Sequence, residues 1–165
     1  LFQVINNSGQ NVITRLDRMF DEGLYWHGNE PCHQIAYLYN KAGAPWKTQQ
    51  RIHHILNTEY NDTPGGLSGN DDAGQMSAWY MFSAIGFYPV CPATPYYYIG
   101  TPSFDKVTFN LENGRKFEIV AEGVDDENFY IQQVDLNGKS GYYLSHDDLK
   151  KKKKLSFRMG NSPKY

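Results

Sequence analysis

Apolar positions follow two different rhythms along this chain. Up to about residue 92 they recur at helical spacing. Behind Ser8, a suitable N-cap, Val12, Leu16, Met19 and Phe20 follow an i, i+4, i+7, i+8 pattern that predicts an amphipathic helix, and Gly23 ends it. A second helix is predicted from Pro31 through Ile35, Leu38 and Tyr39 towards Gly43, and a third from Pro45 through Ile52, Ile55 and Leu56 to about Tyr60. The stretch Thr63–Asn70 is too rich in Gly, Pro and Ser for a regular element. A fourth helix, capped by Asp71 or Asp72, carries Met76, Ala78, Trp79, Tyr80, Met81, Phe82, Ala84 and Ile85 and shows no polar face. A helix that is apolar all round is expected to be surrounded by protein, in a larger helical assembly than these segments supply.

From about residue 93 the period changes to two. Val107, Phe109 and Leu111 alternate with polar residues, Asn113-Gly114 reads as a hairpin turn, and Phe117, Ile119 and Ala121 answer on the return. A second Asn-Gly, at Asn137-Gly138, separates Ile131–Leu136 from Tyr142–Leu144, and a last strand is expected through Leu155, Phe157 and Met159. The expected class is α+β: helices over 1–92, then an antiparallel sheet of about five or six strands over 93–165. The run Lys150–Lys154 reads as a solvated turn between strands.

Composition narrows the functions open to such a fold. With 16 basic and 18 acidic residues in 165, the net charge of −2 gives no support to a nucleic-acid surface. No apolar run approaches the roughly 20 residues that span a bilayer. Cys32 and Cys91 allow one disulfide and exclude a disulfide scaffold. Asn6-Asn7-Ser8 and Asn61-Asp62-Thr63 match the glycosylation acceptor pattern, a triplet common by chance. The chain opens Leu1-Phe2-Gln3-Val4, without an initiator Met or a targeting segment, and is expected to be part of something longer.

Three clusters could carry chemistry. The first is His27-Gly28-Asn29-Glu30-Pro31-Cys32-His33-Gln34, a loop entering a helix. Its histidines lie six apart with Pro31 between them, which is not the spacing of a zinc helix. Oxygen donors such as Asn29 and Glu30 suit a sugar hydroxyl or a hard cation, and equally suit a helix cap. The second runs from Gly65 to Gln75, where glycines let the backbone approach a ligand and Asp71 and Asp72 follow side by side. One carboxylate serves a cap; the other is left over for base or cation work. The third is aromatic: Tyr25, Trp26, Trp46, Trp79, Tyr80 and Tyr96–Tyr98, among which Trp26 is placed to stack on a sugar ring and Trp79 reads as core. His53-His54 reads as a surface or structural pair.

These residues carry a resemblance. His27-Gly28-Asn29-Glu30-Pro31-Cys32-His33-Gln34-Ile35-Ala36-Tyr37, Pro45-Trp46-Lys47-Thr48-Gln49, Gly69-Asn70-Asp71-Asp72-Ala73-Gly74-Gln75-Met76-Ser77-Ala78-Trp79-Tyr80 and Gly86-Phe87-Tyr88-Pro89 resemble, in this order, motifs of glycoside hydrolase family 92. The later hairpins resemble that family's C-terminal tail. The resemblance implies an exo-acting, calcium-dependent, inverting α-mannosidase in which an N-terminal β-sandwich faces an (α/α)6 barrel. Residues 1–92 would be the last helices of that barrel and 93–165 the closing β-structure. It implies Asp72 as general base, with Asp71 beside it. Asn29, Glu30, Trp26 and His27 would line the substrate subsite, and Asn29 and Glu30 would help hold calcium. Some family members carry Asp-Glu-Asp where this chain has Asn70-Asp71-Asp72, so position 70 lacks a carboxylate here. The family's general acid lies in a Glu-Gly-Asn-x-Trp-Gln-Tyr type motif that does not occur in this chain. The chain alone is therefore expected to be inactive, and its partners to be α-mannoside glycans and the remainder of its own polypeptide. The implied setting is extracellular or periplasmic, with no nucleic acid and no membrane as partner. The alternative is a non-catalytic carbohydrate-binding or interaction fragment.

Overall fold

The structure, a computed structural model, describes residues 11–112, 114–135 and 142–164. Among them the helices are α1 (Val12–Asp21), α2 (Leu38–Lys41), α3 (Pro45–Thr58), α4 (Gln75–Ile85) and α5 (His146–Lys151). The strands are β1 (Phe87–Tyr88), β2 (Tyr96–Ile99), β3 (Lys106–Asn110), β4 (Lys116–Glu122), β5 (Tyr130–Asp135), β6 (Tyr143–Ser145) and β7 (Lys154–Gly160).

Two of the predicted helices form as their spacing requires. α1 is capped by the Asn11 side chain, which accepts from the Ile13 amide; Ser8 lies outside the described residues. α3 starts on Pro45, whose missing N–H is no loss in a first turn. The helix expected from Pro31 is broken. Two 3-10 turns, Glu30–Cys32 and Ile35–Tyr37, precede the short α2. The cause lies at His33. Its carbonyl accepts the Trp79 indole N–H at 2.9 Å, while the Tyr37 amide bonds to Gln34 O, so a side chain takes an acceptor that an α-helix would use. α4 runs between two left-handed glycines, Gly74 (φ 95) and Gly86 (φ 108). Its expected enclosure is incomplete among the described residues: Trp79 is fully buried, yet Met81 is 64% exposed.

The single antiparallel sheet expected after residue 93 is in fact two sheets. A three-stranded sheet has the order β1-β2-β6, and a four-stranded sheet the order β3-β4-β7-β5. β3 and β4 form the expected hairpin, with Asn110 opposite Lys116 and Gly114 at φ 74; Asn113 itself lies outside the described residues. β7 pairs in parallel with β4 and antiparallel with β5. Its buried Leu155, Phe157 and Met159 make it a central strand, and a central strand needs a partner on each side. Asn137-Gly138 also lies outside the described residues, and the strands on either side of it join different sheets. The lysine run is not a simple turn. Ser145 caps α5 by accepting the Asp148 amide, acidic residues occupy the first turn, and Lys150 and Lys151 the last. That charge order complements the helix dipole. Cys32 and Cys91 are both free thiols.

The three-stranded sheet is the middle layer. Phe87, Ile99 and Leu144 turn to one core, shared with Phe117, Ile119, Ile131, Leu155 and Phe157 of the larger sheet. Tyr88 turns to a second core with Tyr37, Ile52, Ile55 and Trp79. Polar ties fix α3 to the edge strand β5: Gln49 Oε1 accepts the Ile131 amide at 2.9 Å, and one turn on His53 stacks flat on Phe129, centroids 4.0 Å apart.

Candidate functional site

The first and second chemical clusters meet at two glycines. A Cβ on Gly69 would stand 2.5 Å from Gly28 O, and a Cβ on Gly28 would stand 2.7 Å from Ser68 O and 2.6 Å from the Trp26 ring. Only residues without side chains let the loops touch backbone to backbone. Asn29 and Glu30 leave this junction on one side, and Asn70, Asp71 and Asp72 on the other. Trp26, packed over Gly28, is 58% exposed.

Behind the junction is a buried polar network. His27 is fully buried. Its Nδ1 meets the Tyr25 hydroxyl at 2.7 Å and its Nε2 the Tyr60 hydroxyl at 2.6 Å. Tyr60 donates its own proton to Met76 O. The consistent arrangement is a neutral His27 that donates from Nε2 and accepts at Nδ1. Burial, and secondarily the neighbouring His33, push its pKa down to about 3. The indole of Trp79 stands edge-on to this ring with centroids 4.2 Å apart.

His33 is nearly as buried. Its Nε2 donates to His27 O at 3.0 Å, because a carbonyl can only accept, which leaves Nδ1 as the bare acceptor for Gln75 Nε2 at 3.2 Å. Gln75 Nε2 also donates to the Tyr88 hydroxyl at 3.0 Å. Burial lowers the His33 pKa, opposed by its bond to His27 O and by the charge of Glu30. The network thus joins the first cluster to the start of α4 entirely through side chains that are not themselves exposed.

The two aspartates have separate tasks. Asp71 Oδ1 accepts from the Ser77 amide at 2.9 Å and the Ser77 hydroxyl at 2.8 Å, so from before the Gly74 N-cap position it does the work of a capping side chain. Asp72 is exposed, with φ 48, and is followed by Ala73 at φ 57. Non-glycine residues rarely adopt this conformation, and two in succession hold only where the surroundings fix them. Of the two, Asp72 is the carboxylate that takes no part in capping α4 among the described residues.

The other expected site residues divide in the same way. Trp26 and Asn29 are exposed and Glu30 half-buried, so all three can meet a ligand. His27, expected at the substrate subsite, is placed differently: its ring is interior with both nitrogens engaged, and it supports the loop from behind. Sequence reasoning did not single out His33, Gln75, Tyr25 or Tyr60 as a group. For His33 and Gln75 the signal lay in the motifs themselves, which hold more polar residues than a cap and a base require; Tyr25 and Tyr60 lie outside those motifs. Among the described residues no group of three or more His, Cys, Asp or Glu side chains could hold a metal ion. Asn29 and Glu30 offer the hard oxygen donors that calcium takes, but two side chains supply only part of a shell of roughly six to eight oxygens.

The chain is similar to known proteins of one family. The sequence profile of the glycosyl hydrolase family 92 catalytic domain matches residues 2–161. A curated relative from Arthroderma benhamiae, described as an uncharacterized secreted glycosidase, is 35% identical over 130 residues, covering 77% of this chain and 17% of its own. A family GH92 alpha-mannosidase from Bacteroides thetaiotaomicron superposes with a TM-score of 0.86 at 46% identity, over 92% of this chain and 22% of that one. The same enzyme has also been solved in complex with mannoimidazole. A family GH92 inverting mannosidase from the same species gives a TM-score of 0.83 at 38% identity, over 92% of this chain and 24% of that one. The chain thus spans about a fifth of the length of these relatives.

Proposed function

This chain belongs to glycosyl hydrolase family 92, and from that premise we propose that it forms one wall of the active site of a longer polypeptide that releases mannose from the non-reducing ends of α-mannosides. The observation that carries the reading is the glycine junction. It brings the Asn29–Glu30 loop and the Asp72 turn together on a built support, with Asp72 free of the capping duty that Asp71 performs. The exposed side of α4 around Met81 is then covered by other helices of an (α/α)6 barrel, with residues 1–92 closing that barrel and 93–165 packed outside it.

In this reading Asp72 is the general base of an inverting hydrolysis. It takes a proton from a water that attacks the anomeric carbon opposite the leaving oxygen, and such pairs of carboxyl groups stand about 6.5–9.5 Å apart to admit that water. The acid partner comes from a part of the polypeptide outside this chain, so the 165 residues alone hydrolyse at most in trace. Trp26 offers a flat face for a sugar ring, and Asn29 and Glu30 orient hydroxyls. Asn29 and Glu30 would hold part of a calcium shell, and the ion, when bound, would supply positive charge for the sugar hydroxyls. The setting proposed is outside the cytoplasm; no helix among the described residues is long and apolar enough to cross a membrane, and the Arthroderma relative is described as secreted.

The test is hydrolysis of an α-linked mannobiose by the full-length polypeptide, with calcium and then with excess chelator, following the released anomer by NMR. Calcium-dependent release of β-mannose is expected. Folded full-length protein that hydrolyses none of the common linkages would transfer the assignment to a non-catalytic glycan-binding role.

A further inference from the structure

We infer that Gln75 is a positioning residue that holds the strained Asp72–Gly74 turn against the Asn29–Glu30 loop and thereby sets the aim of the Asp72 carboxylate. The inference rests on the reading of Asp72 as the base. Gln75 opens α4, one residue beyond three consecutive positive-φ positions, Asp72, Ala73 and Gly74. Such a turn does not hold itself in place. Asp71 fixes it from one direction, through Ser77. Gln75 fixes it from the other, with both amide hydrogens committed, one to His33 Nδ1 and one to the Tyr88 hydroxyl.

The chemistry of that bond is narrow. His33 must donate from Nε2 to His27 O, and its carbonyl already accepts from Trp79, so the ring cannot turn over without breaking a buried bond. Nδ1 is left as an acceptor, and only a donor of glutamine's length satisfies it. A carboxylate at position 75 is isosteric but has no hydrogen to give.

Two variants of the full-length polypeptide, Gln75→Glu and Gln75→Met, test this. Each is measured for α-mannobiose hydrolysis and for amide hydrogen exchange over residues 71–77 and over α3. In both, kcat is expected to fall at least tenfold with KM within about threefold, and exchange over 71–77 to rise at least tenfold while α3 stays protected. Unchanged kcat and exchange in both variants overturns the inference. So does exchange that rises equally in α3, which would make Gln75 an ordinary stability residue. If the wild type itself hydrolyses nothing, the function reading fails, and the exchange pattern alone decides whether Gln75 holds the turn.

Discussion

The helical half and the sheet half fill their interiors with different materials. Of the buried polar side chains His27, His33, Thr48, Gln49, Ser83 and Thr101, only Thr101 lies beyond residue 92. The core between the two sheets is instead Phe87, Ile99, Phe117, Ile119, Ile131, Leu155, Phe157 and their apolar neighbours. Burying a polar group costs free energy unless it is bonded, and an apolar residue of similar size would serve stability at least as well. A polar interior is thus justified by what it holds in place. In the helical half His27 and His33 hold two loops, while Gln49 ties α3 to β5 and Ser83 meets the Tyr37 hydroxyl. The difference separates residues that position chemistry from residues that only keep the protein folded.

The sharpest way to test that separation is the surface carboxylate. Asp72→Asn keeps the volume of an exposed residue and its tolerance of positive φ, so thermal stability should stay within about 0.5 kcal/mol. Removing a general base should lower kcat by at least about 100-fold. Steady-state kinetics and a thermal melt on the same full-length preparation check both. A residual activity near wild type would remove Asp72 from the mechanism.

Leu155 in the sheet half should behave oppositely. It is fully buried near the start of β7, opposite Ile119 of β4. Leu155→Ala is expected to cost about 2–5 kcal/mol through lost burial and the cavity left behind. Below the melting transition, kcat should remain within about twofold of wild type, because the cavity lies in the other core. A loss of kcat as large as that of Asp72→Asn would mean that the two halves are not separable.

Between these lies the acid sensitivity of the polar interior. The folded state holds the His27 pKa near 3, against an ordinary value of 6.5. Between these values the unfolded chain takes up a proton that the folded chain refuses, so stability present above about pH 6.5 is lost as the pH falls towards 3. The slope for one group approaches about 1.4 kcal/mol per pH unit. By pH 5 the loss from His27 is about 2 kcal/mol, and His33, shifted in the same direction, adds to it. Melts at pH 7 and pH 5 should show a smaller pH effect in His27→Asn than in wild type, although the variant is less stable at pH 7. An equal pH effect in the two proteins would place the acid sensitivity elsewhere.

What could be read from the sequence follows the same division. Periodicity located α1 and α3, an unbroken apolar run located α4, and alternation with an Asn-Gly turn located the β3–β4 hairpin, because all of these are local signals. The site loops were visible as motif matches and as an excess of polar residues. Three features were not legible. The 3-10 turns around His33 depend on Trp79, 46 residues away, taking a backbone carbonyl. The insertion of β7 between β4 and β5 depends on long-range pairing that alternation does not encode. The interior position of His27 depends on two tyrosine hydroxyls, from Tyr25 and from the distant Tyr60, closing over its ring. The cap of α5 was legible and was missed, since Ser145-His146-Asp147-Asp148 places an acid three residues after a serine, close to a capping-box pattern.

The smallest expected effect concerns the other aspartate, and it tests whether adjacent acids in one motif share a role. Asp71 Oδ1 accepts two bonds from Ser77, so its geometry is that of a cap. Asp71→Ala should cost about 1 kcal/mol, the usual cost of a lost N-cap. Because the cap also steadies the turn that carries Asp72, kcat should fall by less than about tenfold, well short of the loss in Asp72→Asn. Asp71→Asn supplies the control: its amide oxygen can still accept from the Ser77 amide, and it should recover most of the stability and most of the rate without a carboxylate. If Asp71→Asn is instead as inactive as Asp72→Asn while remaining fully folded, the charge at position 71 takes part in the chemistry, and the division between the capping and the free acid must be withdrawn.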